Sequence, residues 1–298
     1  MLEFHKTFRR RFMYPIVFNL NESYVPYASV LMTSIIQNTN KDSNVSGGGG
    51  AYNFHLLMDF VSQETKEKLQ NLILELSKIY PCTLNIYIVE DEIFRTQSLR
   101  TLNGNYLTYY RLKIGSVLPQ SITKCVYLDV DMLVLGDLRE LFAIDLKGKI
   151  CGVVEEYRSK KIIYTKSKSY SNADITGSHF NAGMLLVDLN LWRKEEIEER
   201  AFEMLRHYDC KLHDEDSLNL ALYGKTYRVG IEWNLKVSVY YRAICIDEKG
   251  KRQLPYKRQE LNEAVKKPKI LHYFTYSKPW CDSKIYLDYH NKFLGQYW

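Results

Sequence analysis

The run KCVYLDVDMLVLGDL, residues 124–138, sets two aspartates directly after an apolar, β-prone segment. Cys125 to Leu128 reads as a buried strand, which Asp129-Val130-Asp131 ends abruptly. Alternate residues of a strand share a face, so the carboxylates of Asp129 and Asp131 are expected on one face at the strand's carboxyl end. Carboxylates resist burial unless they are paired or bound to a metal. Two co-directed acids at a sheet edge suit a divalent cation, and a cation there suits phosphate oxygens. A turn carrying two solvated aspartates explains the same residues, because the motif is short.

Around this run the pattern alternates between strands and helices. Strands are expected over 14–20, 52–58, 83–89, 150–154 and 184–187, and helices over 24–38, 64–80, 106–113, 137–142, 190–208 and 213–222. Leu69, Leu72, Ile73, Leu76 and Ile79 recur at helical spacing within the second helix. Such alternation implies an α/β fold with a mostly parallel central sheet flanked by helices, and functional groups at the strands' carboxyl ends. Asn40 to Gly50 is polar and ends in four glycines, a flexible connection. Residues 157–178 lack periodicity and are expected to form a long loop. Neither GxGxxG nor GxxxxGK[ST] occurs, so a dinucleotide site or P-loop is not supported. Arg111 lies on a largely apolar segment and calls for an anionic partner, either a structural carboxylate, the Asp pair or a substrate.

Composition narrows the class. At 298 residues and 46% hydrophobic, the chain can bury a large core, which excludes global disorder. Its six cysteines are widely spread without a CxxC pair, a pattern that fits reduced buried thiols in the cytosol better than a disulfide frame. No apolar run approaches the roughly 18–20 residues that span a bilayer, and MLEFHKTFRRRF lacks the apolar stretch of a signal peptide. A cytoplasmic location is therefore expected. Net charge is +6, with basic residues gathered at Arg9-Arg10-Arg11 and between Lys249 and Lys269. Three parts follow: a basic extension 1–12, one domain over 13–280, and an aromatic, basic tail 281–298 suited to the inner face of an anionic membrane. Nucleic acid is not expected as a partner.

Six stretches in series carry a resemblance. They are YPIVFNLNESY, TYYRLKIG, YLDVDMLV, FNAGMLLVDLNLWR, HDEDSLN and HYFTYSKPW, spread over residues 14–280. Together they resemble glycosyltransferase family 8, which includes bacterial lipopolysaccharide galactosyl- and glucosyltransferases and the glycogenins. One DxD is weak evidence; the series in this order is specific.

The resemblance implies a GT-A type nucleotide-sugar-binding fold, a UDP-sugar donor, manganese (with magnesium as an alternative) and retention of anomeric configuration. It implies a hexose, galactose or glucose, moved to a saccharide or glycolipid acceptor in surface-glycan synthesis. It assigns Asp129, Asp131 and His272 to the metal, with Val130 beside the donor. Lys278 matches the phosphate-binding lysine, and Leu20, Asn21 and Tyr24 match the uridine loop. Arg111, Asn181, Ala182, Asp214 and Glu215 match positions around the donor sugar, with Glu215 a candidate nucleophile and Asp214 its orienting neighbour.

Three positions depart from the family. Asn21 stands where aspartate is common, and its amide can still meet a uracil edge because it offers both donor and acceptor. Thr275 stands where glycine is common, and Glu215 where the lipooligosaccharide galactosyltransferases carry glutamine. Two rival readings exist. A haloacid dehalogenase-type phosphohydrolase also uses DxD after an apolar strand, but near the chain start and with Thr or Val where this chain has Leu133. The other rival is a non-catalytic protein that binds nucleotide sugars.

Overall fold

The computed structural model describes residues 12–41, 50–156, 161–237, 257–274 and 278–280. The arginines at 9–11, glycines 47–49, Cys245, Lys249, Lys251, Arg252, Thr275, Cys281 and the tail 281–298 lie outside the described residues.

In chain order the strands are β1 (Met13–Asn19), β2 (Ala51–Met58), β3 (Cys82–Ile88), β4 (Lys124–Leu128), β5 (Met132–Val134), β6 (Cys151–Glu155), β7 (Ile162–Ile163), β8 (Ala173–Asp174), β9 (Phe180–Asp188), β10 (Thr226–Arg228), β11 (Leu235–Lys236) and β12 (Ile270–His272). The α-helices are α1 (Val25–Gln37), α2 (Gln63–Ile79), α3 (Glu92–Arg95), α4 (Ile114–Val117), α5 (Leu138–Phe142), α6 (Leu189–Lys194), α7 (Ile197–His207) and α8 (Asp214–Ala221), with a last one at Arg258–Lys266.

Seven strands form the central sheet in the order β10-β6-β9-β4-β1-β2-β3. All neighbouring pairs are parallel except those made by β9, which runs antiparallel to both β4 and β6. The mostly parallel α/β sheet expected from the sequence is therefore present. Alternation along each strand divides the core between the two faces. Ile16, Phe18, Val126 and Leu128 pack on one side with Leu31 and Ile35 of α1. Val17, Cys125 and Tyr127 pack on the other with Tyr110, Trp192 and Leu218. A fully buried Leu or Phe contributes about 1.5–3 kcal/mol, so the two layers supply most of the driving force. Cys82, Cys125, Cys151 and Cys210 are free, buried thiols.

Four local expectations are corrected. The helix expected over 190–208 is two helices, α6 and α7, broken at Glu196 with a left-handed φ of 51°. The strand expected at 184–187 begins at Phe180, which pairs with Glu155 of β6 past an irregularity in the register, while the Gly183 carbonyl accepts from Asp129 N–H. Within the loop expected over 157–178, β7 and β8 pair as a short antiparallel ribbon.

The fourth correction concerns the acids themselves. β4 ends at Leu128, and Asp129 to Asp131 form the turn into β5 rather than the end of a strand. The chain must turn there because β5 leaves the central sheet for a three-stranded one, β11-β12-β5. The two carboxylates are brought together by a turn and not by strand alternation. That small sheet pairs His272 with Met132 and donates Tyr273 N–H to the Asp131 carbonyl at 2.9 Å. It is the device that carries a residue from the end of the chain to the acids in its middle. No helix of the described residues is long and apolar enough to cross a membrane.

Candidate active site

Three neighbouring backbone segments build the site. The antiparallel register sets Leu128 against Met184, so the chain beyond β4 meets the start of β9. Asp129 N–H then donates to the Gly183 carbonyl at 2.8 Å. β12 completes the group from the small sheet. Ligand-type atoms of Asp129, Asp131 and His272 all lie within 4.8 Å of one another. His272 Nε2 is 3.2 Å from Asp131 Oδ1 and 3.8 Å from Asp129 Oδ2.

The imidazole is oriented from behind. His272 Nδ1 lies 2.9 Å from Asn234 Oδ1, while Asn234 Nδ2 donates to Asn181 Oδ1 at 3.0 Å. With the amide nitrogen committed to Asn181, the amide oxygen is left to accept from Nδ1–H. That tautomer turns the Nε2 lone pair toward the acids. His272 Nε2 and Asp131 Oδ1 are then two buried acceptors facing each other at 3.2 Å, neither with a hydrogen-bond partner among the described residues. Such an arrangement is unfavourable alone and is relieved by a cation. Gly183 leaves the necessary room: a Cβ there would stand 2.6 Å from His272 Cε1 and 2.7 Å from Asp129 Oδ2. The residues present thus fit a divalent cation with mixed oxygen and nitrogen ligands.

Arg111 is the brace of the site. It lies in the 3-10 helix Leu107–Lys113 and is buried. Its guanidinium donates to the Ala182 carbonyl at 2.7 Å and pairs with Asp129 at 2.8 Å and Asp214 at 2.9 Å. It also lies over the Tyr127 ring, 4.7 Å from the centroid. Tyr127 O–H donates to the same Asp129 oxygen at 2.8 Å. Burial works against the charge on Arg111, but Asp129 and Asp214 outweigh it and keep the group ionised. The anionic partner that the sequence called for is therefore a pair of carboxylates from the expected site.

The opening of α8 supplies two more acids. His213, just before it, holds φ 51° and ψ −118°, a strained conformation for a non-glycine residue, and its Nδ1 lies 3.0 Å from the Tyr109 hydroxyl. Asp214 accepts from the Thr108 hydroxyl and is ion-paired with Arg111. Glu215 Oε2 accepts from Asn181 Nδ2 at 2.8 Å and from Ala182 N–H at 3.3 Å, and Oε1 lies 3.4 Å from His179 Nε2. Lys278 donates to Asp131 Oδ2 and to the Tyr273 carbonyl. Leu20 is buried after β1, Asn21 stands just before the 3-10 helix Glu22–Tyr24 and accepts from the Ser23 hydroxyl, and Tyr24 is exposed at the start of α1. Val130 is buried between the two acids. Asn234, Tyr127, Gly183 and His179 belong to the group although sequence reasoning gave them no role. Of these, Tyr127 and Gly183 lie within stretches that carry the resemblance, and Asn234 and His179 do not.

Burial pushes the Asp214 carboxyl up to about 6, with Arg111 and Thr108 holding it back. A raised folded-state value means the folded chain keeps a proton that the unfolded chain has lost. Stability from this group is therefore present below the ordinary aspartate value and falls as pH rises to about 6. Asp214→Asn removes that slope. The variant is expected to gain on the wild type by about 2 kcal/mol between pH about 4.5 and about 7 in urea unfolding of metal-free protein. A pH-independent difference would contradict the raised value.

Comparisons with known proteins bear on the family and the fold. The general stress protein A of Bacillus subtilis (strain 168) is 23% identical over 270 residues, covering 89% of this chain and 86% of that protein. A lipopolysaccharide 1,3-galactosyltransferase of Salmonella typhimurium is 28% identical over 234 residues, covering 76% of this chain and 63% of that protein. The crystal structure of the galactosyltransferase LgtC with donor and acceptor sugar analogues matches with a TM-score of 0.66 at 21% identity over 90% of both chains. At that identity the likeness shows the fold, which is of the GT-A type. The sequence model of glycosyl transferase family 8 matches residues 15–284, and the chain belongs to that family.

Proposed function

We propose that this chain is a retaining hexosyltransferase that moves galactose or glucose from a UDP-sugar to a saccharide or glycolipid acceptor in lipopolysaccharide or other surface-glycan synthesis. The observation that carries the reading is the meeting of Asp129, Asp131 and His272, drawn from distant parts of the chain, with Lys278 on the same carboxylate. Family membership speaks for transfer over the phosphohydrolase alternative.

Asp129, Asp131 and His272 are the residues to hold a cation, and two carboxylates with one imidazole favour Mn²⁺ over Mg²⁺. When bound, it supplies Lewis-acid stabilisation of the departing diphosphate. Lys278 adds a fixed positive charge beside it. Leu20, Asn21 and Tyr24 receive the uridine. Arg111 holds Asp129 and Asp214 in place. Asn181 and Ala182 present one oxygen of Glu215 in a fixed orientation. Glu215 is the proposed nucleophile of a double displacement, and front-face attack is the competing route to retention. A trapped glycosyl adduct on Glu215 supports the first; full activity in Glu215→Gln removes it.

Gly183→Ala is expected to weaken Mn²⁺ binding by about 10–100-fold, because the added methyl forces His272 or Asp129 aside. Calorimetric titration in the presence of UDP measures this, and wild-type affinity would show that the group tolerates displacement. The reaction itself is tested with a panel of UDP-sugars with and without Mn²⁺. Retained transfer in EDTA would contradict the proposal, and saturable UDP–Mn²⁺ binding without transfer or hydrolysis would favour a non-catalytic binding protein. A cytoplasmic site of action, with the tail 281–298 resting on the inner membrane face, is proposed from composition.

A further inference from the structure

The last described residues of the chain return to the first helix. The Trp280 indole stacks on the Tyr27 ring, centroids 3.8 Å apart and planes at 16°. Tyr27 in turn meets Tyr24 edge-on at 5.4 Å. The helix that carries Tyr27 is fixed to the sheet by buried Ala28, Leu31, Met32 and Ile35, so Tyr27 is a rigid anchor. Two residues before Trp280 stands Lys278, with Pro279 between them restricting the backbone. On the upstream side, Tyr273 N–H is tied to the Asp131 carbonyl at 2.9 Å. Tyr273 and Trp280, on either side of Lys278, are thus each tied to the body of the fold.

We propose that Trp280 is a positioning residue whose stack on Tyr27 holds the Lys278 ammonium where the diphosphate of a nucleotide is received. A lysine ammonium sits on a flexible four-carbon arm, and ordering that arm costs entropy at the moment of binding unless the protein has already spent it. The carbonyl of Tyr273 and the carboxylate of Asp131 fix the tip, and the aromatic stack fixes the backbone from which the arm springs. The inference rests on the donor reading above.

Calorimetric titration of the full-length protein with UDP and with uridine, both in saturating MnCl₂, tests it. Trp280→Ala is expected to weaken UDP about 5- to 10-fold, the worth of one aromatic pair, and to leave uridine unchanged. Trp280→Phe keeps a stacking ring and is expected to stay within about twofold of wild type. In a Lys278→Ala background, Trp280→Ala is expected to add nothing further for UDP. Tyr27→Leu removes the stack from the other side, and UDP binding is expected to fall as in Trp280→Ala, which covers the case in which that variant misfolds. Equal losses for UDP and uridine, or an undiminished Trp280→Ala effect without Lys278, would overturn the inference. Absence of UDP binding by the wild type would overturn the donor reading itself and this inference with it.

Discussion

Asp131→Asn is expected to lower sugar transfer by about 10³-fold, the several kcal/mol that a catalytic cation supplies. Asp131 sets one oxygen 3.2 Å from His272 Nε2 and pairs through the other with Lys278, so the imidazole, the lysine and the candidate cation position meet at one carboxylate. An amide keeps the shape but loses the charge and turns a donor toward one of those partners. Asp129→Asn is expected to act in the same direction. Initial rates with UDP-sugar across a Mn²⁺ series measure the effect. Recovery of wild-type rates at raised Mn²⁺ would show that Asp131 governs affinity alone, and unchanged rates would remove it from the site.

Arg111→Ala is expected to have the largest effect on stability, a loss of about 3 kcal/mol or more. The guanidinium pairs with two carboxylates and one carbonyl in a buried setting. Its removal leaves Asp129 and Asp214 without their shared countercharge, and breaking a buried pair costs more than the pair contributes. Arg111→Lys is expected to recover only part, since a point charge cannot reach all three partners as the planar fork does. Urea unfolding at neutral pH measures both variants. A loss below about 1 kcal/mol for Arg111→Ala would mean that the carboxylates find other partners or water.

Legibility in the sequence followed from how local each determinant is. β1, β2, β3 and β4 carry their own apolar runs, and each was readable to within a residue or so. The small sheet was not readable. Its strands span three, two and three residues and are collected from 132–134, 235–236 and 270–272, too short for any periodicity to register. That sheet sets the position of His272, so the third member of the candidate metal group is reachable only through the resemblance. Asn234 shows the same limit. It orients His272 and Asn181 at once, yet it lies at the end of a 3-10 helix in the least regular third of the chain. The break at Glu196 escaped because neither glycine nor proline marks it. Asp129 and Asp131 are legible as a pair of acids, but a turn and not a strand face unites them.

The central claim is that one cation is held jointly by Asp129, Asp131 and His272. Crystals grown with UDP and MnCl₂, measured for anomalous scattering at the manganese edge, test it most directly. A single strong peak bonded to all three side chains is the expected result. A peak bonded elsewhere, or none with UDP clearly bound, would contradict it.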